Sequence, residues 1–342
     1  MLRTFGLRGH PFLTEISTIV STSSQLIRAG VVGAGAFGRL HAQKYAATPG
    51  VTLVGIADAD LARAQTMAND FGVQAFASWR AMLPHVDVVT IAVPARVHGE
   101  IGVGALNQGK HVFMEKPLAA NLREADALVR LAEVRNLVLH TGHQERFVMR
   151  HLGLFDGNVK PLRIESHRAA PFNPRNTDVS VVLDLMIHDI DLVHTLNPSA
   201  VAAVRASERM MHARSDEVSA SLTLTDGMQV ELFASRMAEA RKRFMRVTYP
   251  DGEIYIDFLT REMTNTTPRK IKPLGSTDGV ADGLPCPSTD PLGHGVAQFV
   301  RAVREGRAPA IAPREARRAL ETALNILDAA RAAAPQKRAV HA

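Results

Sequence analysis

The sequence predicts an α/β protein. An N-terminal half is expected to form a doubly wound parallel sheet, and a C-terminal half to form an α+β unit with a largely antiparallel, open sheet. Three observations carry this. Over residues 26–145, short apolar runs rich in Val and Ile alternate with amphipathic helical runs, the rhythm of βαβ units. After about residue 145 that rhythm gives way to consecutive strand-like runs separated by turn signals. Hydrophobic content is 46% and charged content 22% over 342 residues, which fits two domains of an ordinary globular composition.

Taken in order, "LIRAGVVG" reads as a strand and "FGRLHAQKYAA" as a helix; "VTLVGIAD" as a strand and "LARAQTMANDF" as a helix. "VDVVTIAV", "KHVFME" and "LVLHTG" are further strands, with "HGEIGVGALNQ" and "LREADALVRLAEVR" as helices between them. A helix over residues 146–156 follows, then the strand "PLRIESHRAA", then a helix near 179–195. The runs "AVAAVRASERM", "EVSASLTLTDG", "MQVELFASRM", "KRFMRVTYPDG" and "EIYIDFLT" come next, with Asp226-Gly227 and Asp251-Gly252 as turns. Residues 261–293, polar and rich in Gly and Pro, read as a long loop, and two helices end the chain. The expected division is a disordered leader over 1–25, a nucleotide-binding domain over 26–145 and a substrate or oligomerisation domain over 146–342.

A single cysteine, Cys286, allows no internal disulfide, in keeping with a reducing, cytoplasmic setting. No run of 18 apolar residues is present, and residues 1–25 lack the continuous apolar core of a secretory signal. The net charge of +6 raises nucleic acid as a partner. Much of the arginine, however, is spread along helices in the manner of solvated faces. "ARKRFMRV" is denser and is expected to alternate across a strand, one face turned to a cleft or an oligomer contact. Small anions suit such clefts better than DNA does.

"GVVGAGAFGRLHAQ" holds Gly33, Gly35 and Gly38 as G-x-G-x-x-G between an apolar strand and a helix. In that context the first glycine makes a tight turn, the second lets backbone approach a pyrophosphate, and the third lets helix pack on strand. The helix N-terminus offers N–H groups to phosphates. Twenty residues on, Asp58 ends a strand, where a carboxylate accepts both adenosine ribose hydroxyls and repels a 2′-phosphate. The motif therefore predicts a Rossmann domain that binds NAD, with Gly33, Gly35, Ala36, Phe37, Gly38 and Asp58 around the cofactor.

"VVLDLMIHDIDLV" asks why so apolar a stretch carries three acids and a histidine. At helical spacing Asp184, His188 and Asp191 share a stripe at i, i+4 and i+7, an arrangement that can tune an imidazole for proton transfer. Glu115-Lys116-Pro117 ends a strand and precedes a helix. With "TIAVPARVHGEIGVGALNQGKHVFMEKPLA" upstream and the D-x-x-x-H helix downstream, residues 26–335 resemble the glucose–fructose oxidoreductase / inositol dehydrogenase / rhizopine-catabolism family, Gfo/Idh/MocA. The resemblance implies catalytic roles for Lys116, Asp184 and His188, and adds Pro94, His98 and Glu115 to the cofactor site. Asp191 is read evenly between a functional and a supporting carboxylate, and Asp189 as helix-surface or supporting.

"TGHQERF" and "RAAPFNPRNTDVSVVLDLMIHDIDL" resemble the branch of that family acting on UDP-linked N-acetyl sugars. This implies NAD-dependent oxidation at C3 of UDP-N-acetylglucosamine, giving a 3-keto sugar for amination in lipid A biosynthesis. Arg146, Arg168 and Arg175 are then candidates to grip the diphosphate; the alternative for each is a surface ion pair. His294, after a glycine, reads as surface. A free-sugar or inositol dehydrogenase is the alternative enzyme, and an NAD-sensing regulator a distant one. No Cys/His cluster has metal-ligand spacing. A homodimer or homotetramer is expected, because an uncovered sheet face must be buried.

Overall fold

The computed structural model describes residues 26–333 except 158, 174–178, 212–214, 276–279, 282–283 and 286–288. The leader, Arg175 and Cys286 lie outside the described residues.

Short, mostly apolar runs form the first sheet: β1 (Ile27–Val32), β2 (Val51–Ala57), β3 (Gln74–Phe76), β4 (Val88–Ile91), β5 (His111–Met114) and β6 (Leu139–Thr141). All pairs are parallel, in the order β3-β2-β1-β4-β5-β6. Every residue of β4 is buried, as expected of a strand covered on both faces. The covering helices are α1 (Ala36–Ala47), α2 (Leu61–Phe71), α3 (Trp79–Met82), α4 (His98–Asn107) and α5 (Leu122–Val134). Asp60 caps α2 by accepting from the Ala62 and Arg63 amides, and Gly72, at φ +64°, ends it. Strand order reverses between β1 and β4, so the ligand crevice opens beyond their carboxyl ends. The short β3–α3 segment was not expected: three residues carry no readable period.

The second sheet is mixed, in the order β13-β12-β11-β7-β10-β9-β8. Its strands are β7 (Arg163–Ala169), β8 (Val201–Arg209), β9 (Glu217–Leu224), β10 (Gln229–Ser235), β11 (Lys242–Tyr249), β12 (Gly252–Asp257) and β13 (Met263–Asn265). Only β7 and β10 pair in parallel; the others are antiparallel. The stretch 261–293, expected to be loop throughout, contributes β13 and the two-residue pair β14 (Val280–Ala281) and β15 (Leu284–Pro285). "ARKRFMRV" does alternate: Met245 and Val247 are buried in the core, while Lys242 and Arg246 are exposed. Across the outer face, His167 stacks between Phe233 at 4.7 Å and Phe244 at 5.0 Å, and Phe244 meets Tyr255 at 5.5 Å.

The helices of this half are α6 (Glu145–Leu152), α7 (Ile187–Leu196), α8 (Pro291–Glu305) and α9 (Pro313–Ala333). A π-helical turn, Val182–Met186, leads into α7. Leu292, Val296, Phe299 and Val300 of α8 return to the first sheet and pack with Tyr45 and Phe113. α9 serves both sheets: Ala316 and Leu320 join the first core, and Ala319, Ala323, Ile326 and Leu327 join the second.

Buried charge ties these helices together. Arg146 of α6 gives Nε and Nη2 to Asp191 of α7 at 2.6 Å each, and Nη1 to Glu315 of α9 at 2.5 Å. Asp191 is buried, whereas the Glu315 side chain is 53% exposed. Asp191→Ala leaves a buried guanidinium without its main partner, and should lower unfolding free energy in urea titration by about 3–5 kcal/mol. Glu315→Ala should cost under about 1 kcal/mol.

Candidate active site

The glycine turn has the geometry of a dinucleotide cradle. Gly33 sits at φ +108°, and a Cβ there would lie 2.3 Å from the Ala92 carbonyl oxygen. A Cβ on Gly38 would lie 1.8 Å from the Gly33 carbonyl oxygen, so α1 is pressed against the turn. At Gly35 the nearest atom is an Arg63 nitrogen at 3.7 Å, so the space before α1 is open. No side chain caps α1, and its first amides face that space. Asp58 is fixed above the turn: Oδ2 accepts from the Ala34 amide at 2.7 Å and Oδ1 from the Asp60 amide at 2.9 Å. These residues fit a dinucleotide. A contact-free approach at the second glycine, a helix end and an anchored carboxylate stand where pyrophosphate and ribose require them.

A cavity of about 1040 Å³ runs from this turn to the end of β5. Gly33, Gly35, Ala36, Phe37, Asp58, Pro94 and Glu115 line it, with Lys116 and Asp184. Gly38 and His98 do not. Gly38 acts through packing. His98 is buried, with Nδ1 2.8 Å from the Pro117 carbonyl and Nε2 2.9 Å from the Val93 carbonyl. His98, expected beside the cofactor, thus packs between two backbone carbonyls. Burial pushes its pKa down, and a neutral ring has one N–H to donate to either carbonyl. Three further cations, Arg63, Arg80 and Arg96, also line the cavity. Arg63 approaches Asp58 at 4.0 Å, and Arg80 stacks on Trp79 at 4.1 Å. Trp79 and Arg80 follow the short β3 and carry no local period; their signal is Ser78, whose side chain caps α3 by accepting from the Arg80 amide.

Lys116 joins the two sheets. It follows β5, and its Nζ donates to the Asp184 carbonyl at 2.7 Å and to Asp184 Oδ1 at 3.1 Å. The Lys116–Pro117 peptide is cis. Asp184 lies within the π-helical turn, not in a regular helix as the spacing predicts. Its carbonyl is shared with the lysine where the turn is widened. Glu115 beside it is buried and meets His41 Nε2 at 2.7 Å and Gln144 Nε2 at 3.1 Å. Burial alone would raise its carboxyl pKa; the His41 hydrogen bond and the charges of His41 and Lys116 outweigh this and hold it below the ordinary value.

His188 does not line the cavity but shares the charge environment of Lys116. Burial pushes its pKa well below the ordinary value; Glu145 opposes this, and Lys116, Arg168 and His143 reinforce it. The ring is therefore neutral near pH 7 and able to accept a proton. Its Nδ1 is buried without a hydrogen-bond partner among the described residues. The His143 ring meets it edge-on, centroids 6.5 Å apart.

The arginines expected to grip a substrate diphosphate are engaged elsewhere. Arg146, 4% exposed, is held by Asp191 and Glu315. Arg168, 8% exposed, gives Nε and Nη2 to Asp189 at 3.0 and 2.8 Å, and Nη1 and Nη2 to Glu145 at 2.9 and 2.7 Å. Neither lines the cavity. A buried guanidinium needs acceptors throughout, and the carboxylates beside these two already supply them. Asp189 and Asp191 are both buried in this supporting role. His294, expected at the surface, is 2% exposed and lies edge-on to Phe147 at 4.8 Å, because α8 packs inward. Among the described residues no group of His, Cys, Asp or Glu has metal-binding geometry.

The chain is similar to proteins already known. Residues 27–143 match a family model described as an oxidoreductase family with an NAD-binding Rossmann fold, and residues 157–255 match the GFO/IDH/MocA C-terminal domain. The chain is 34% identical over 310 residues to UDP-N-acetylglucosamine 3-dehydrogenase of Acidithiobacillus ferrooxidans, covering 88% of this chain and 96% of that one. A crystal form of that enzyme superimposes with a TM-score of 0.80, covering 90% of this chain and 98% of its own. Myo-inositol 2-dehydrogenase of Thermotoga maritima is 30% identical over 192 residues, 53% of this chain and 58% of its own. GenD2 from gentamicin A biosynthesis, solved with NAD, shares the fold at 22% identity and a TM-score of 0.76 over 96% of this chain and 97% of its own.

Gly38→Ala has no room for its methyl group. It should weaken NAD binding at least tenfold, measured calorimetrically, and lower the thermal midpoint by several degrees. Asp58→Ala, which removes hydrogen bonds to a charged acceptor, should weaken NAD by about 1.5–3 kcal/mol and leave the fold intact.

Proposed function

Because the chain belongs to the Gfo/Idh/MocA oxidoreductase family, we propose that it oxidises C3 of UDP-N-acetylglucosamine to a ketone with NAD+. The observation that carries this reading is the meeting of Lys116 and Asp184 at the wall of the dinucleotide cavity, with contacts of 2.7 and 3.1 Å. The extended similarity to the Acidithiobacillus ferrooxidans enzyme favours that substrate. NAD+, when bound, supplies the hydride acceptor. Lys116 donates a hydrogen bond to the reacting hydroxyl and stabilises its alkoxide character. His188, neutral through burial, takes the hydroxyl proton. Asp184 fixes the lysine and orients the sugar.

One observation favours a second reading, the oxidation of a free sugar or inositol. Arg146 and Arg168 are committed to carboxylates of the chain, which removes two of the expected contacts for a diphosphate. A non-catalytic sensor has less support, since sensing alone does not require a lysine and a histidine from different sheets in one charge environment. The cytoplasm, with NAD and nucleotide sugars, is the setting that fits this reaction, and its ketone suits later amination for lipopolysaccharide. No helix among the described residues is long and apolar enough to cross a membrane. The outer face carrying His167, Phe233, Phe244 and Tyr255 is proposed as the contact of a homo-oligomer.

Purified protein with NAD+ and UDP-N-acetylglucosamine should generate NADH absorbance in a panel that also holds UDP-glucose, myo-inositol and glucose. A preference for myo-inositol or glucose moves the assignment to the second reading. His188→Asn and Lys116→Met should each reduce turnover by about a hundredfold while NAD affinity stays close to wild type. Wild-type turnover in both variants overturns the proposed roles. Light scattering should give a mass at least twice that of one chain, and Phe233→Asp should reduce it.

A further inference from the structure

Glu145 is the first residue of α6 and is clamped by two strands of the second sheet. Its Oε1 lies 2.9 Å from Arg168 Nη1 and 2.5 Å from Arg243 Nη2; its Oε2 lies 2.7 Å from Arg168 Nη2. The same Oε1 is 3.9 Å from His188 Nδ1, the ring atom left without a hydrogen bond among the described residues. Arg168 is braced on its other side by Asp189. Two cations and two anions thus form a neutral cluster, with one fixed carboxylate oxygen turned toward the imidazole.

We propose that Glu145 is a positioning residue for His188: it holds the Nδ1–H tautomer and balances the charge the ring acquires with the substrate proton. This rests on the reading of His188 as the base. With Nδ1–H directed to Glu145, the lone pair on Nε2 is left for the substrate. As the sugar is oxidised, the hydroxyl proton goes to Nε2 and the carbon–hydrogen pair leaves as hydride to NAD+, giving ketone, NADH and an imidazolium. The imidazolium donates to Glu145 Oε1; closing 3.9 Å to hydrogen-bond distance takes a shift of about 1 Å. Other groups around the ring act differently. Lys116 beyond β5, His143 ahead of α6 and Arg168 on β7 all disfavour its protonation. Arg243 on β11 acts through Glu145. On the ring's own segment, Asp184 is engaged with Lys116 and Asp189 with Arg168. Asp191 and Glu315 of α9 are engaged with Arg146. Glu145 is therefore the anion placed to receive the imidazolium.

The test is the pH profile of two variants with opposite signs. Activity requires the neutral ring, so it falls as pH drops through the pKa of His188. Glu145→Gln removes the supporting charge: the acid limb of kcat/KM should move to lower pH, and kcat should fall about tenfold to a hundredfold with KM and NAD affinity nearly unchanged. Arg243→Gln leaves Glu145 less neutralised, and the acid limb should move to higher pH. Unmoved limbs in both variants, with kcat within about threefold of wild type, overturn the proposal. If Glu145→Gln does not fold, the direction of the Arg243→Gln limb decides alone. His188→Asn separates the two levels. If it retains turnover, the reading of the base fails; if it is inactive while both limbs stay in place, only the role of Glu145 fails.

Discussion

The structure depends on one contact: an ammonium at the carboxyl end of β5 reaching a carbonyl and a carboxylate on a helix of the other sheet. Nothing in either sheet alone brings Lys116 and Asp184 together. The parallel sheet delivers the lysine to the crevice beyond its strand ends, where a doubly wound topology places ligands. The second sheet presents the π-helical turn and α7 to the same crevice. Asp184 lines the cavity with the lysine, and His188 lies near enough for the lysine's charge to act on its ring. The dinucleotide turn, the cavity and the buried histidine gain a common purpose only through this junction.

Beneath it lies a layer of buried charge without which the junction would not stand. Arg146 with Asp191 and Arg168 with Asp189 occupy neighbouring places along α7. Both arginines reach up from elements flanking the helix. Each carboxylate would be costly alone, and each guanidinium equally so. Together they fix the helix that carries His188 in rotation and depth. Glu115, with His41 and Gln144, does the same for the strand end that carries the lysine. His98, buried between the Val93 and Pro117 carbonyls, donates its one N–H to one of them. Lys116, Asp184 and His188 thus sit among charges that are paired with one another.

Much of this was legible in the sequence. Glycine spacing after a strand, an acid at the next strand end, and the alternation of runs specify backbone requirements that few residue types satisfy, so Gly33, Gly38 and Asp58 lie where the pattern puts them. The order of elements was readable for the same reason. What escaped the reading depends on contacts between distant segments. A three-residue β3 has no period of its own. Arg146 and Arg168 look like anion-binding residues until Asp189, Asp191, Glu145 and Glu315 are placed beside them in space. His294 reads as a surface residue because nothing local shows that α8 turns back to the first sheet. The departure from α-helical geometry at Asp184 accompanies a lysine 68 positions away, which no local propensity records.

The double allegiance of α9 bears on how the protein is made. Ala316 and Leu320 complete one core, and Ala319, Ala323, Ile326 and Leu327 complete the other. Each of these two cores lacks part of its lining while this helix is still within the ribosome. The parts of both sheets that α9 covers stay exposed until it emerges. Such a chain gives chaperones a long interval in which to act, and a sequence change in this remote helix would surface first as poor yield in the cell, before any defect in chemistry.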